Sequence, residues 1–179
     1  MKRMTRARIG GVVMLAAVGA CAPIGGATSG PAGRSVALIA GDGRTIGSVA
    51  VAADGAMTVR VAAGGIAPGM HGMHLHQVGL CTAPGFASAG GHLNPGGKQH
   101  GRDNPLGAHL GDLPNIEVGV SGGTARIAAN LSQTTGVGAE LADADGTALV
   151  IHAKPDDYRT DPSGASGDRV ACAVVGAAR

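Results

Sequence analysis

The chain has no tryptophan, one phenylalanine (Phe86) and one tyrosine (Tyr158) among 179 residues. A core packed from aromatic rings is therefore excluded, and Val, Ile, Leu, Ala and Met have to supply it. Long apolar runs are also missing. The run at residues 9–20, IGGVVMLAAVGA, stops short of the ~20 residues that a comfortable membrane span needs. No repeat recurs at a period of about 20 to 50 residues, which argues against a repeat array. Sustained helical periodicity is lacking too, and residues 139–146, AELADADG, are the best helical candidate. Glycine, by contrast, is abundant at 33 residues. Many glycines between short β-branched runs point to an all-β chain with many turns.

Positive charge is scarce once its position is considered. The formal net charge is +2, from 14 Lys and Arg against 12 Asp and Glu. Lys2, Arg3, Arg6 and Arg8 stand in the first eight residues, ahead of the apolar run. A basic start, a short apolar middle and small residues before a cleavage point have the anatomy of a secretory signal, residues 1–20. The stretch VGAC, ending at Cys21, resembles the lipobox of bacterial lipoproteins. That resemblance implies cleavage before Cys21, a lipid on its sulfur and attachment to a membrane. Without the four leader charges the remainder carries −2. It has no basic cluster that would grip a phosphate backbone, so nucleic acid is not an expected partner.

Only three cysteines are present. With Cys21 carrying lipid, Cys81 and Cys172 remain, and in an exported chain they most simply form one disulfide rather than two free thiols. Residues 21–33 then read as the lipidated cysteine and a flexible Gly/Pro/Ser-rich tether. The domain occupies residues 34–179. SVALIAG, TIGSVAVAA and MTVRVAA are three β-like runs separated by Gly-Asp-Gly and Asp-Gly turns, a hairpin meander. HGMHLHQV (71–78), NIEVGV (115–120), TARIAA (124–129), ALVIH (148–152) and RVACAVV (169–175) bring the count to eight strands. A sandwich or barrel is expected. Two long segments, residues 79–111 and 153–168, fit no strand pattern. Loops of that length in a compact domain are functional or disordered.

Seven histidines carry the chemistry. On a strand, His74 and His76 point to one face, while His71, Met73 and Leu75 point to the other, the core side. Side chains two residues apart stand roughly 7 Å apart along a strand, so two imidazoles can converge on one ion. His92, His100 and His109 follow in the long loop, with Asp112 three residues later. Three imidazoles and a carboxylate make a four-coordinate zinc site, and imidazole equally suits copper. His152 closes an apolar strand, where a lone histidine is more often structural. Spacing does not fix the number of ions.

The segments GMHGMHLHQVGLC, SAGGHLNPGGKQHG, AHLGDLPNI, ALVIHAKPDD and GDRVACAVVG occur in this order. They resemble the signature segments of copper/zinc superoxide dismutases in their bacterial exported form, from about residue 34 to the C-terminus. The resemblance implies an eight-stranded Greek-key β-sandwich or barrel of immunoglobulin-like architecture with two long functional loops. It also implies an electrostatically steered enzyme working near the diffusion limit. Carried over by position, copper falls to His74, His76, His92 and His152. Zinc falls to His92, His100, His109 and Asp112, with His92 shared between the ions as catalytic bridge. His71 matches a structural histidine. Asp156 matches the carboxylate that joins a copper ligand to a zinc ligand. Arg169 matches the arginine that attracts superoxide, and Cys81 and Cys172 match the family disulfide. Lys154 is a further candidate for steering.

Three positions depart from the family pattern: Leu80 and Gln77 where acids are usual, and Ala165 where Asn is usual. None removes a ligand. The expected role is dismutation of superoxide in the periplasm or cell envelope, by a monomer or homodimer. The alternative is an envelope protein that binds copper and zinc without catalysis.

Overall fold

The structure is a computed structural model that describes residues 33–128 and 144–176. The leader, Cys21 and almost all of the tether lie outside the described residues. So do residues 139–143 of the helical candidate; Asp145 and Gly146 precede a strand without forming a helix.

Nine strands rather than eight are present among the described residues: β1 (Arg34–Ala40), β2 (Thr45–Val51), β3 (Met57–Ala62), β4 (Gly69–His71), β5 (Met73–His76), β6 (Ile116–Val118), β7 (Gly122–Ile127), β8 (Thr147–His152) and β9 (Arg169–Gly176). A single 3₁₀ turn, Ala87–Ala89, is the only helix among the described residues. The extra strand comes from the run at 71–78, which divides at Gly72. That glycine donates its N–H to the Lys154 carbonyl and accepts from His152 N–H, both at 2.8 Å. A Cβ there would stand 2.9 Å from that of Ser166 and 3.3 Å from the Asp156 nitrogen. Gly72 is thus the point where the sheet meets the loop at 153–168.

Seven strands form one antiparallel sheet in the order β5-β8-β9-β1-β2-β3-β7, and β4 pairs with β6. The non-consecutive neighbours β5–β8, β9–β1 and β3–β7 give the Greek-key crossovers. Alternation fills the interior. In β3, Met57, Val59 and Val61 are buried while Arg60 is exposed, so one face meets the core and the other meets solvent. Leu38, Val49, Val59, Met73, Leu75, Leu149, Ile151 and Val175 share the main cluster. Each such side chain stabilises the fold by about 1.5–3 kcal/mol. Strand β8 is buried along its whole length. Its other face, Ala148 and Val150, packs in a second cluster with Phe86, Ala89 and Cys172.

Candidate metal centre

Strand β5 is the edge of the large sheet, and its outer side is covered by the long loop after it. The loop returns twice along that edge, with bridges between His76 and His92 and between His74 and Asp112. Leu75 N–H donates to Gly111 O at 2.9 Å, Leu93 N–H to Leu75 O at 2.8 Å, and Leu113 N–H to Met73 O at 3.2 Å. The backbone groups of an open edge are satisfied, and His92, His109 and Asp112 arrive beside the two strand histidines. His152 comes from the end of neighbouring β8, opposite Arg169 across a register shift.

Four rings meet first. His74, His76, His92 and His152 hold their donor atoms within 4.8 Å of one another. In each of them one nitrogen is already engaged, in His92 by Asp112 on the far side of the ring. His76 Nδ1 donates to Gly90 O at 3.0 Å, His152 Nδ1 to Gly167 O at 3.0 Å, and His74 Nε2 to an Asp156 oxygen at 2.9 Å. Each of those bonds fixes the tautomer and turns the other nitrogen's lone pair inward. The nitrogens left over, His74 Nδ1 and Nε2 of His76, His92 and His152, are buried without a hydrogen-bond partner. Buried polar atoms are rarely left so. A shared cation is the one partner that suits four converging lone pairs. Burial holds His76 at a pKa of about 2, and His92 and His152 at about 4. These three rings are therefore neutral at ordinary pH, the form that binds a metal.

A second set lies on the other side of His92. Its Nδ1 is 3.0 Å from Asp112 Oδ1 and 3.3 Å from His109 Nδ1. His109 Nδ1 is 3.2 Å and His100 Nδ1 3.0 Å from the same carboxylate oxygen. A tetrahedral ion with bonds of ~2.0–2.1 Å has edges of about 3.3 Å, close to these spacings. The His100–Asp112 approach lies off the hydrogen-bonding direction, for His100 Nδ1 has no hydrogen-bond partner. The other Asp112 oxygen accepts the N–H groups of Gly101 at 2.8 Å and His109 at 3.0 Å. Burial works against ionisation of Asp112, but the His100 ring beside it, together with hydrogen bonds from His92 and Gly101, holds its carboxyl well below the usual range. For His100 burial again opposes the charge, and Asp112 and Asp156 outweigh it, raising the ring to about 9.

His74 also has a donor within 4.8 Å of His92, His100 and Asp112. This follows from its stacking on His92, with ring centroids 3.9 Å apart. His74 has only two nitrogens, one bonded to Asp156 and the other turned into the first set; His109 Nδ1, against Asp112 and His92, offers the second set a further donor. Asp156 joins the sets from behind, one oxygen accepting from His74 Nε2 and the other from His100 Nε2, each at 2.9 Å. Its carboxyl is held low against the cost of burial by those two rings and the Tyr158 N–H.

The first set opens on a cleft lined by His76, Gln77, His92, Asn94, His152 and Arg169, among others. Arg169 donates Nη1 to Phe86 O and Nη2 to Gly90 O, both at 2.7 Å. Lys154 is exposed and is not part of the cleft lining; its stem lies beside Gly167 at the rim. His71 lies apart from both sets, with Nδ1 2.7 Å from His152 O and Nε2 2.9 Å from Ala67 O. Cys81 and Cys172 are disulfide-bonded.

Four supporting residues escaped sequence reasoning. The Asn115 amide donates to Asp156 O at 3.0 Å and accepts from Asp156 N–H at 2.9 Å. Tyr158 accepts the Asn115 N–H at 2.8 Å, with Arg102 stacked 3.8 Å above its ring. Asp161 accepts the His100 N–H at 2.6 Å. Phe86 presents its carbonyl to Arg169. The only signal for Phe86 and Tyr158 was rarity, one of each in the chain. Asn115 and Asp161 act through main-chain groups and left none.

The family model for copper/zinc superoxide dismutase (SODC) matches residues 45–175. The chain is 39% identical over 148 residues to the superoxide dismutase-like protein YojM of Bacillus subtilis (strain 168), covering 80% of this chain and 76% of that one. It is 42% identical over 141 residues to a Cu-Zn superoxide dismutase of Caulobacter vibrioides, covering 76% and 81%. The crystal structure of a superoxide dismutase-like protein from Bacillus subtilis superposes with a TM-score of 0.69 at 36% identity, over 80% of this chain and 99% of that one.

Proposed function

The chain belongs to the copper/zinc superoxide dismutase family, oxidoreductases that use copper and zinc, and on that premise we propose how its own residues divide the work. His74, His76, His92 and His152 hold copper, and His92, His100, His109 and Asp112 hold zinc. The observation that carries this reading is the division of His92: its Nε2 is an orphan of the first set, and its Nδ1 lies within 3.3 Å of the second. The reaction converts two superoxide ions and two protons into dioxygen and hydrogen peroxide. Copper supplies the one-electron redox couple that zinc lacks.

The protein residues do the rest. Arg169 draws the anion into the cleft, where low-dielectric walls strengthen its field. Its guanidinium is held by two neutral carbonyls rather than by a carboxylate, so its charge is not cancelled. His92 Nε2 takes up and returns a proton while Nδ1 stays with the zinc set, which keeps the ring in place. Asp156 fixes the rings of His74 and His100 through their Nε2–H groups, so a shift in one set is felt in the other. His71 ties the loop before β4 to the end of β8, behind His152. Lys154 at the rim adds positive charge to the approach.

The signal-like start and Cys21 support an exported, lipid-anchored protein that removes superoxide in the cell envelope. The second reading, a metal-binding protein without catalysis, has one observation in its favour: the similarity to a relative called superoxide dismutase-like. Against it stand the two complete donor sets and Arg169 at the cleft. Superoxide dismutase activity measured while copper is titrated into the zinc-loaded protein decides between them. Activity that rises with bound copper up to one equivalent supports the enzyme; full copper occupancy without activity supports the carrier.

A further inference from the structure

The only phenylalanine sits in the loop between the disulfide and His92. Phe86 is fully buried, yet its backbone is left-handed, with φ 54° and ψ 26°. For a bulky residue that conformation is uncommon and costs roughly 1–2 kcal/mol. It persists only where the surroundings dictate it. Here the ring dictates it. Phe86 packs with Ala89, Ala148, Val150 and Cys172 on the face of β8 turned away from the main core. Its N–H donates to Thr82 O at 3.0 Å, and its carbonyl closes the next turn by accepting the Ala89 N–H at 3.1 Å.

The same carbonyl accepts Arg169 Nη1 at 2.7 Å. Four residues on, Gly90 O accepts both Arg169 Nη2 at 2.7 Å and His76 Nδ1 at 3.0 Å. Two parallel bonds hold a planar guanidinium in a fixed plane. Both acceptors belong to the loop that the Phe86 ring pins to β8 and β9. We propose that Phe86 is a positioning residue for anion recognition, its buried ring setting where the carbonyls of Phe86 and Gly90 hold Arg169 over the cleft. The proposal rests on the reading of Arg169 as the anion-attracting group.

Azide serves as the probe anion. Its dissociation constant is measured by optical titration of the copper- and zinc-loaded protein, per bound copper, with metal content determined on the same samples. Arg169→Gln weakens azide by about tenfold or more. Phe86→Leu keeps both metals and weakens azide by about fivefold, equivalent to about 1 kcal/mol; Phe86→Met takes its place if the leucine variant does not fold. The double variant binds azide no more weakly than Arg169→Gln alone, because the ring acts through the guanidinium. Val59→Ala, in the main core on β3, is the control for generic loss of stability and leaves azide affinity unchanged. Unchanged affinity in the Phe86 variants beside a loss in Arg169→Gln overturns the role of Phe86, as does an equal loss in Val59→Ala. Unchanged affinity in Arg169→Gln overturns the reading of Arg169 itself, and the proposal with it.

Discussion

Ala165 stands in the loop at 153–168 with a left-handed backbone, φ 50°. The position is exposed, so nothing packs against the methyl group to repay the strain. Alanine pays roughly 1–2 kcal/mol there, whereas asparagine tolerates the region. Ala165→Asn is expected to stabilise the protein by about 0.5–1 kcal/mol, read as a higher urea midpoint at constant slope. An unchanged or lower midpoint would count against a strained loop. Asp156 is the opposite case, a side chain whose two oxygens are both committed. Asp156→Asn keeps the shape but leaves one acceptor where two rings need one each. The expected result is a loss of about 10–100-fold in zinc affinity, measured by competition with a chelator. Retention of zinc affinity would mean that Asp156 does not orient the rings.

Among the elements, the strands were the easiest to read. β3 alternates as its sequence implies, because one of its faces meets the core. The run at 71–78 misled as a single strand: periodicity does not show that Gly72 is used to seat the 153–168 loop. Within β5 the expected faces hold, with Met73 and Leu75 in the core cluster. The run of the long loop along the β5 edge was invisible, because main-chain hydrogen bonds make it. The division of His92 between two sets was beyond spacing as well. It depends on which ring nitrogen faces which neighbours, and only the resemblance to the family implied it. The disulfide was legible by cysteine arithmetic. It closes a separation of 91 residues and anchors the loop that carries Phe86 and Gly90. Cys81→Ser with Cys172→Ser should lower stability by about 2–5 kcal/mol, seen in denaturant unfolding under non-reducing conditions. A loss well below 1 kcal/mol would show that the loop is held without the covalent link.

For the molecule as a whole, the two donor sets make the stability of the metal-free protein depend on pH in two directions. Unfolded histidines titrate near ~6.5. His76, His92 and His152 are held at about 2, 4 and 4 in the fold. As pH drops below ~6.5 the unfolded chain binds more protons than the folded one, and stability falls. His100, raised to about 9, behaves oppositely: its contribution is complete below ~6.5 and is lost as pH rises through 9. The carboxyls of Asp112 and Asp156 are depressed, and their contribution is lost only in strong acid, below ~3.9. The metal-free protein should therefore be most stable near pH ~6.5, with the acid side steeper, three rings against one. Urea midpoints in chelator from pH ~4.5 to ~9.5 check this, and a flat profile would contradict it. The central claim is that one ring, His92, joins two ions, and it is tested most directly by metal content. The copper and zinc bound by His92→Ala and His76→Ala are measured after equilibration with both metals. His76 is the cleaner copper ligand for the comparison, since His74 is linked to His100 through Asp156. The account predicts that His76→Ala loses copper and keeps zinc, while His92→Ala loses affinity for both. Full zinc in His92→Ala, with copper alone reduced, would contradict the shared ring.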